Sequence, residues 1–336
     1  YNNVEIPTQL KSSLTIAGDE DKKHRLQNLV GVQLVGCGFN EILNNSLSKL
    51  SYYSDNDYNA YSLDTTVKVM NPLSADLGVM RQAMLFGGLE SILRNVNRKS
   101  SNLRFFEVGN TYKSKWTEED PARAYCQEQH MALWITGKRV EGSWIHADED
   151  SSFYELMAYV QNIFAHVGLG INKLVLEKSD NNIFSKGLVY KNRGGKVFAE
   201  IGILNDKVLK KFDIEQTIFY ADIYWDNVTK AVKKETLEYQ EISKFPAVSR
   251  DLALLIDNNV EFEQIEQIAL QTEKKLLKSV DLFDVYEGKN LPAGKKSYAI
   301  NFILQDDTKT LNEKAIDAIM QKLIKQLCAK LNAELR

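Results

Sequence analysis

The chain has 336 residues, which is enough for two or three domains with separate hydrophobic cores. Apolar residues make up 44% of it and charged residues 26%, as in an ordinary soluble protein, and a net charge of −3 gives no overall indication of DNA or RNA binding. We find no apolar run long enough to cross a bilayer and no signal peptide, and therefore expect a cytoplasmic protein without a membrane partner.

The residue types that most often build metal or catalytic sites are scattered along the chain. None of the three cysteines belongs to a CxxC pair and the four histidines have no ligand spacing, so we predict reduced thiols and no metal site. Motifs of the form HExxH, GxxxxGK[ST] and GxSxG are absent from the sequence. The sequence therefore predicts none of the sites that these motifs build.

The first predicted helix follows a segment, residues 1–18, that reads like the tail of a preceding domain or a linker. Because the chain also begins at Tyr1 rather than at a methionine, we expect a fragment of a longer polypeptide. Acidic residues from Asp19 onward favour a helix start, and Gly38 is a natural stop. The apolar stripe of this helix either packs on its own domain or lies in a subunit interface; it consists of Leu26, Leu29, Val30 and Leu34.

Residues 69–112 form the most informative stretch, VMNPLSADLGVMRQAMLFGGLESILRNVNRKSSNLRFFEVGNTY. Apolar residues three and four apart predict a helix over residues 80–96, followed by a buried strand at 103–109. Gly87 and Gly88 lie inside the helical pattern and should cost about 2 kcal/mol relative to alanine. We therefore predict that another backbone passes close to them.

The predicted strand at 103–109 contains one carboxylate, Glu107. A buried carboxylate is costly unless it is paired. Glu107 is either a relic of a catalytic site or the partner of a nearby arginine, the candidates being Arg94, Arg98 and Arg104.

The remaining chain is organised in two blocks. Many strands and a few helices in series over residues 19–226 predict an α+β domain with a mainly antiparallel sheet. Residues 227–243 are polar and charged, and we interpret them as a linker. Residues 244–336 show the order strand, helix, strand, strand, helix, strand, which is the βαββαβ order of ferredoxin-like domains.

Several motifs, in this order and spacing, resemble the β subunit of bacterial phenylalanyl-tRNA synthetase. The resemblance rests on NPLS, the MRQAML and GGLESILRNVNR helix and the FFEVG strand in the first block, and on FPAVSRD, DLFDVYEG, KKSYAI and the terminal Leu-Arg in the second. It implies a class II synthetase-like module with an antiparallel sheet and flanking helices, followed by a ferredoxin-fold anticodon-binding domain.

The resemblance also implies partners and cofactors. A subunit of this family docks on the catalytic α subunit within a heterotetramer and binds phenylalanine tRNA, and no DNA partner is expected. The helix that begins at Asp19 would belong to the motif that builds class II subunit interfaces. ATP and magnesium are expected only in the complete enzyme and no cofactor in this chain, because the family's magnesium-holding residues and editing domains would lie upstream of Tyr1.

A class II synthetase active site needs positive charge held against the ATP phosphates, because the transition state places charge on them. Catalytic relatives supply it with arginines from the second and third signature motifs. Here no arginine follows the FFEVG strand in residues 110–113, and none lies between Arg193 and Arg250. The Gly194-Gly195 pair is better explained by a hairpin turn. We therefore predict no catalytic residue in this chain.

Strand alternation predicts the ligand-binding residues of the last domain. Its apolar positions, including Phe283 and Val285, should face the helices and leave a face of small and polar residues around one tyrosine: Ala253, Asp284, Tyr286, Ser297 and Asn301. Four-stranded sheets read single-stranded RNA with such faces, by stacking and by hydrogen bonds to base edges. The resemblance implies that the anticodon binds here, with phosphates contacted by Lys289, Lys295 and Lys296.

A plain solvated sheet face is the alternative, and residues 244–336 support it with 14 basic and 14 acidic residues. Two other functions also remain open from the sequence. One is a divergent catalytic class II synthetase-like enzyme, and the other is a free-standing RNA-binding or scaffold protein.

Overall fold

The computed structural model describes residues 18–53, 58–115, 124–232, 239, 241–288, 291–292 and 294–335. Contacts within the chain divide it into two units, Tyr1–Leu237 and Glu238–Arg336. Among the described residues, no helix is both long enough and apolar enough to cross a membrane.

A sheet of seven strands lies at the centre of the first unit. Its edge strand β1 pairs in parallel with β4, and the other neighbouring pairs are antiparallel. This confirms the predicted α+β domain with a mainly antiparallel sheet. In order across the sheet, the strands are β1 (Asn40–Glu41), β4 (Leu103–Ser114), β5 (Tyr125–Thr136), β11 (Ile218–Tyr224), β10 (Val197–Leu204), β9 (Phe184–Asn192) and β8 (Leu174–Lys178).

Helices and two small strand pairs flank this sheet. The pairs are β2 (Leu47–Ser48) with β3 (Val79–Met80), and β6 (Lys138–Val140) with β7 (Glu149–Asp150). The α-helices described in the first unit are α1 (Asp19–Gly36), α2 (Leu85–Val96), α3 (Phe153–His166), α4 (Asp206–Lys210) and α5 (Trp225–Val232).

The two faces of the large sheet carry separate hydrophobic cores, because successive residues of a strand point to opposite faces. Along β5, Met131 and Leu133 lie in a core that includes α1, α3 and α5. Ala132 and Trp134 lie in a core that includes α2 and α4. All four side chains are fully buried, and burial of one the size of Leu133 stabilises the fold by roughly 1.5–3 kcal/mol.

The helix predicted over residues 80–96 begins later, at Leu85. Met80 belongs instead to β3, where its backbone N–H donates to the Val67 carbonyl at 2.9 Å. The backbone N–H of Arg81 likewise donates to the Ser46 carbonyl at 2.9 Å. These residues bond to other parts of the chain rather than to the following helix, and tertiary pairing overrides their helical spacing.

Side chains, not another backbone, approach the two glycines of α2. A Cβ at Gly88 would stand 2.1 Å from Cε2 of Trp134, and a Cβ at Gly87 would stand 2.9 Å from Cβ of Asn44. The prediction of a nearby backbone is therefore wrong. Gly88 allows α2 to lie directly on the indole ring that projects from β5, and Gly87 leaves room for Asn44.

A buried ion pair joins β4 to the segment that precedes α2. Glu107, which is fully buried, accepts from Nη1 of Arg81 at 2.7 Å and from Nδ2 of Asn44 at 2.6 Å. Nε of Arg81 donates to the Asn110 carbonyl at 2.9 Å. The partner of Glu107 is therefore Arg81, which was not among the three arginines considered from the sequence.

The polar segment 227–243, interpreted as a linker, begins inside helix α5. Trp225 and Val228 of this helix are fully buried in the core that also contains α1 and α3. Charged residues between these two positions and after them concealed the helix in the sequence. The described structure of the first unit extends to Val232.

The second unit has a four-stranded antiparallel sheet with two helices packed on one face. Along the chain, its elements are β12 (Val248–Asp257), α6 (Phe262–Thr272), β13 (Leu277–Tyr286), β14 (Lys295–Leu304), α7 (Glu313–Leu331) and β15 (Glu334–Leu335). The order across the sheet is β13-β14-β12-β15. This confirms the predicted ferredoxin-like βαββαβ topology.

We expect Gly88→Ala to destabilise the first unit by about 1–3 kcal/mol, the usual cost of an overpacked core. Urea unfolding followed by tryptophan fluorescence would measure the loss. Gly36→Ala is the matched control, because a Cβ there meets nothing within 4 Å. A Gly88→Ala protein as stable as the control would contradict the close packing on Trp134.

Candidate functional site

The helix-free face of the second sheet carries the residues predicted to contact RNA. Cross-strand partners point to the same face of a sheet, and the register places all five predicted residues on the face opposite the helices. The paired rows, in the order β12, β14, β13, are Asp251–Asn301–Asp281, Ala253–Ala299–Asp284 and Leu255–Ser297–Tyr286. We call these nine residues the open face. The shared position is a structural fact, and the role in RNA binding stays a prediction.

A β-bulge decides which side chains of β13 reach the open face. The pairing register shifts between Leu282 and Asp284, which leaves Phe283 as the extra residue. Phe283 is 59% exposed and Val285 is 47% exposed, so the expectation that both belong to the core is wrong. Because the bulge changes the alternation, Asp284 and Tyr286 still lie on the open face.

Tyr286 forms an aromatic surface at one end of the open face. Its side chain is 38% exposed, and its ring lies against the backbone of Gly288, where a Cβ would stand 2.4 Å from the ring Cζ. Ser297, in the same row, is buried. The two alanines of the next row leave the carboxylate of Asp284 exposed to solvent. A planar ligand would therefore meet one ring and one free carboxylate.

Carboxylates dominate the charge of the open face. Asp251, Asp281 and Asp284 belong to its rows, and Lys295 at its edge forms an ion pair with Glu334 of β15. This charge does not favour phosphate groups. Carboxylate oxygens can, however, accept hydrogen bonds from the N–H groups of bases.

The three lysines predicted to meet phosphates do not lie together on the open face. Lys296 is buried, and its Nζ lies 4.7 Å from the centroid of the Tyr298 ring, so its side chain lies on the helix side. A phosphate contact by Lys296 is therefore a wrong prediction, because alternation places it opposite to Ser297. Lys289 lies outside the described residues.

The predicted interface stripe of α1 is divided between core and surface. Val30 and Leu34 are fully buried in the unit's own core, and Leu26 packs against that core. The prediction that Val30 and Leu34 meet another subunit is therefore wrong. Leu29 is 42% exposed and is the member of the stripe most open to a partner.

The exposed apolar side of α1 consists of Leu29, Val32 and Val35, which are spaced three residues apart. Val32 is 75% exposed and Val35 is 57% exposed. These two valines line a groove of about 380 Å³ with Val108 of β4. The spacing of three residues from Leu29 to Val32 and Val35 could have predicted this surface from the sequence.

A cavity of about 340 Å³ opens on the face of the large sheet that carries Trp134. Strands β4, β5, β11, β10 and β9 form its floor, and residues 59–61 and 178–183 contribute to its rim. Asn59 joins the two rim segments: its Nδ2 donates to the Asp180 carbonyl at 2.7 Å, and its Oδ1 accepts from the Asn182 backbone N–H at 3.1 Å.

Buried ionisable groups crowd the floor of the cavity. Nδ1 of His130 lies 2.6 Å from Oδ1 of Asp222. Burial alone would lower the pKa of His130, but the charge and hydrogen bond of Asp222, helped by Glu128, outweigh it and raise that pKa. Burial also raises the pKa of Glu200, and the Asp222 charge adds to this effect against the hydrogen bond from Asn181.

Reasoning from the sequence did not bring these cavity residues together. His130 shows no ligand spacing with the other histidines, and Asp222 and Glu200 lie in strand-like runs of the sequence. Their common signal is a single ionisable residue within an otherwise apolar strand, in HMALWIT, YADIY and VFAEIGIL. The strand order β5-β11-β10 makes the three residues neighbours.

Models of known protein families match both units. The model of the phenylalanyl tRNA synthetase beta chain CLM domain matches residues 6–225, and the model of the ferredoxin-fold anticodon binding domain matches residues 243–336. The chain belongs to the family of phenylalanyl-tRNA synthetase beta chains. This confirms the resemblance seen in the motifs.

Curated relatives agree with the family models. The phenylalanine–tRNA ligase beta subunit of Bacteroides thetaiotaomicron is 56% identical over the whole chain, and that of Porphyromonas gingivalis is 44% identical. The chain spans about 41% of the length of each. A solved pyrrolysyl-tRNA synthetase from Desulfitobacterium hafniense has a TM-score of 0.47 at 14% identity, over 62% of this chain and 68% of that one, a likeness too low to support an argument.

We expect the stability of the first unit to fall as the pH rises from about 6.5 through the pKa of folded His130. A raised pKa in the folded state means that protonated His130 stabilises the fold, fully below its unfolded pKa and not above its folded one. A tenfold difference in proton affinity between the folded and unfolded states corresponds to about 1.4 kcal/mol of stability.

Urea unfolding at a series of pH values would test this expectation against His130→Gln. The stability of the variant should not fall in this pH window. If the free energy of unfolding changed with pH in the same way for both proteins, Asp222 would not stabilise the protonated form of His130.

Proposed function

We propose that this chain is part of the beta subunit of a phenylalanine–tRNA ligase. In this proposal the first unit is a non-catalytic module that docks on the catalytic α subunit, and residues 244–336 bind the anticodon of phenylalanine tRNA. The observation that carries it is the open face, on a domain that matches the ferredoxin-fold anticodon binding family. The complete protein would act in the cytoplasm within a heterotetramer.

The composition of the open face supports the binding of unpaired bases. Tyr286 offers a ring on which a base can stack, and Asp284 offers oxygens for base N–H donors. Ala253 is small enough for a base to approach between them. Because the rows carry carboxylates, stacking and base edges rather than phosphates would supply the affinity of this face.

The surface of α1 supports docking on another subunit. A row of exposed apolar side chains on one helix is characteristic of a surface that is covered in an assembly. Leu29 therefore remains in the proposed interface, and Val32 and Val35 replace the two core residues of the original stripe.

The residues around the large cavity support a non-catalytic role for the first unit. Its basic lining residues in the described part are lysines and a histidine, with no arginine to hold triphosphate oxygens in a fixed fork. Within the described residues, no group of three or more His, Cys, Asp or Glu side chains could hold a metal ion. In this proposal, ATP and magnesium are bound elsewhere in the complete enzyme.

We expect Tyr286→Ala to raise the KM for tRNA about tenfold in the assembled ligase, because loss of a stacking ring costs roughly 1–3 kcal/mol per base. Phenylalanine-dependent ATP–pyrophosphate exchange should be unchanged, since that step needs no tRNA. The control is Tyr154→Ala, which removes a more exposed tyrosine, 78% exposed, from the first unit. Unchanged charging by a folded Tyr286→Ala enzyme would show that the anticodon binds elsewhere.

We expect Val32→Asp to weaken binding of the α subunit by at least about tenfold, because an interface would bury the new carboxylate without a partner. Co-purification and surface plasmon resonance would measure the loss, and the thermal midpoint should not change, since Val32 is exposed. Val175→Asp places the same charge at an exposed valine on strand β8 as a control. Equal binding by both variants would remove α1 from the interface.

A further inference from the structure

The cavity of the first unit contains charged groups that its own residues do not join in a salt bridge. Lys191 is held by a carboxylate of the neighbouring strand at 3.0 Å, and Asp222 is paired with His130 at 2.6 Å. Lys113 and Glu200 also line the cavity. Neither of these two has a salt bridge within the part of the chain that the structure describes.

The position of Glu200 lowers the stability of the fold when no ligand is bound. Glu200 lies directly opposite Asp222 on the adjacent strand, and like charges in this position destabilise a sheet. It accepts a hydrogen bond from Nδ2 of Asn181 at 2.9 Å, which does not neutralise its charge. Burial raises its pKa, and the charges of Lys191 and Lys113 oppose this shift without reversing it. An ammonium group beside Glu200 would offset both costs.

Lys113 supplies the opposite charge on another strand of the same cavity. It lies on β4, and Glu200 lies on β10, with β5 and β11 between them. An apolar part of the lining includes Tyr61 and Ile183 at the rim and Val189 on β9. The volume of about 340 Å³ is in the range of sites for small molecules. The complementary ligand has an ammonium group, a carboxylate and a small apolar body.

We propose that this cavity binds a small zwitterion, an amino acid with an apolar side chain, with its ammonium group at Glu200 and its carboxylate at Lys113. The inference does not depend on the function proposed above. A phosphate ligand fits the cavity less well, because Glu200 and Asp222 would repel it.

Leucine and its two single-charge analogues test the ligand chemistry on this chain without a partner subunit. Leucine, with phenylalanine as a larger probe, should produce saturable shifts of the cavity residues in an NMR titration at millimolar concentrations. Leucinamide lacks the carboxylate and 4-methylpentanoate lacks the ammonium group. Each should bind about tenfold more weakly or worse, since each leaves one charged group without its partner.

Variants of the two charged residues test their assignment. Glu200→Gln should abolish the preference for leucine over 4-methylpentanoate, and Lys113→Met should abolish the preference for leucine over leucinamide. A merely structural defect would weaken all three ligands alike. Glu215→Gln, at an exposed carboxylate of the same unit, is the control and should change nothing.

Two results would overturn the proposal. One is the absence of saturable binding of both leucine and phenylalanine. The other is a Glu200→Gln protein that is folded and keeps the same preference among the three ligands. Because neither measurement involves tRNA or an α subunit, failure here leaves the function proposed for the open face and α1 to its own tests.

Discussion

The buried pair of Arg81 and Glu107 is the interaction on which the first unit depends. It joins β4, in the large sheet, to the segment that leads into α2, and so sets where α2 meets the sheet. Removing one partner of such a pair costs about 3–5 kcal/mol, because the other charge stays buried. The pair also requires a glycine at position 109, because a Cβ there would stand 2.1 Å from Nη2 of Arg81. Arg81 thus acts as one structural element with two residues of β4, Glu107 being 26 positions later in the sequence.

The two units use carboxylates in different ways. In the first unit, Asp222 is held inside the structure by His130, so its charge affects stability and the environment of the cavity. In the second unit, Asp284 is exposed on the open face, where its charge is available to a ligand. The same residue type thus serves internal electrostatics in one unit and stands exposed on a sheet face in the other.

Spacing along the chain predicted the features that depend on local sequence. The ferredoxin-like order follows from the sequence of helical and strand patterns along the chain. The common face of the five residues predicted to contact RNA follows from the alternation of side chains along each strand. The partner of Glu107, the ring at Gly88 and the exposure of Phe283 could not be predicted, because they depend on register between strands. The cavity was missed for the same reason: each strand contributes one ionisable residue, and only the strand order makes them neighbours.

The bulge at Phe283 limits how the length of β13 can change. Side chains alternate with a period of two, so loss of Phe283 would only restore the regular pairing, whereas one residue inserted between Asp284 and Val285 would exchange the two faces beyond it. Val285 would then point to the open face, and Tyr286 would point towards the helices. A pair of added residues would preserve the facing of Tyr286. We infer that chains with this sheet can lose the bulge residue or gain two residues after Asp284, but cannot gain a single one there, even where every substitution in the strand is conservative.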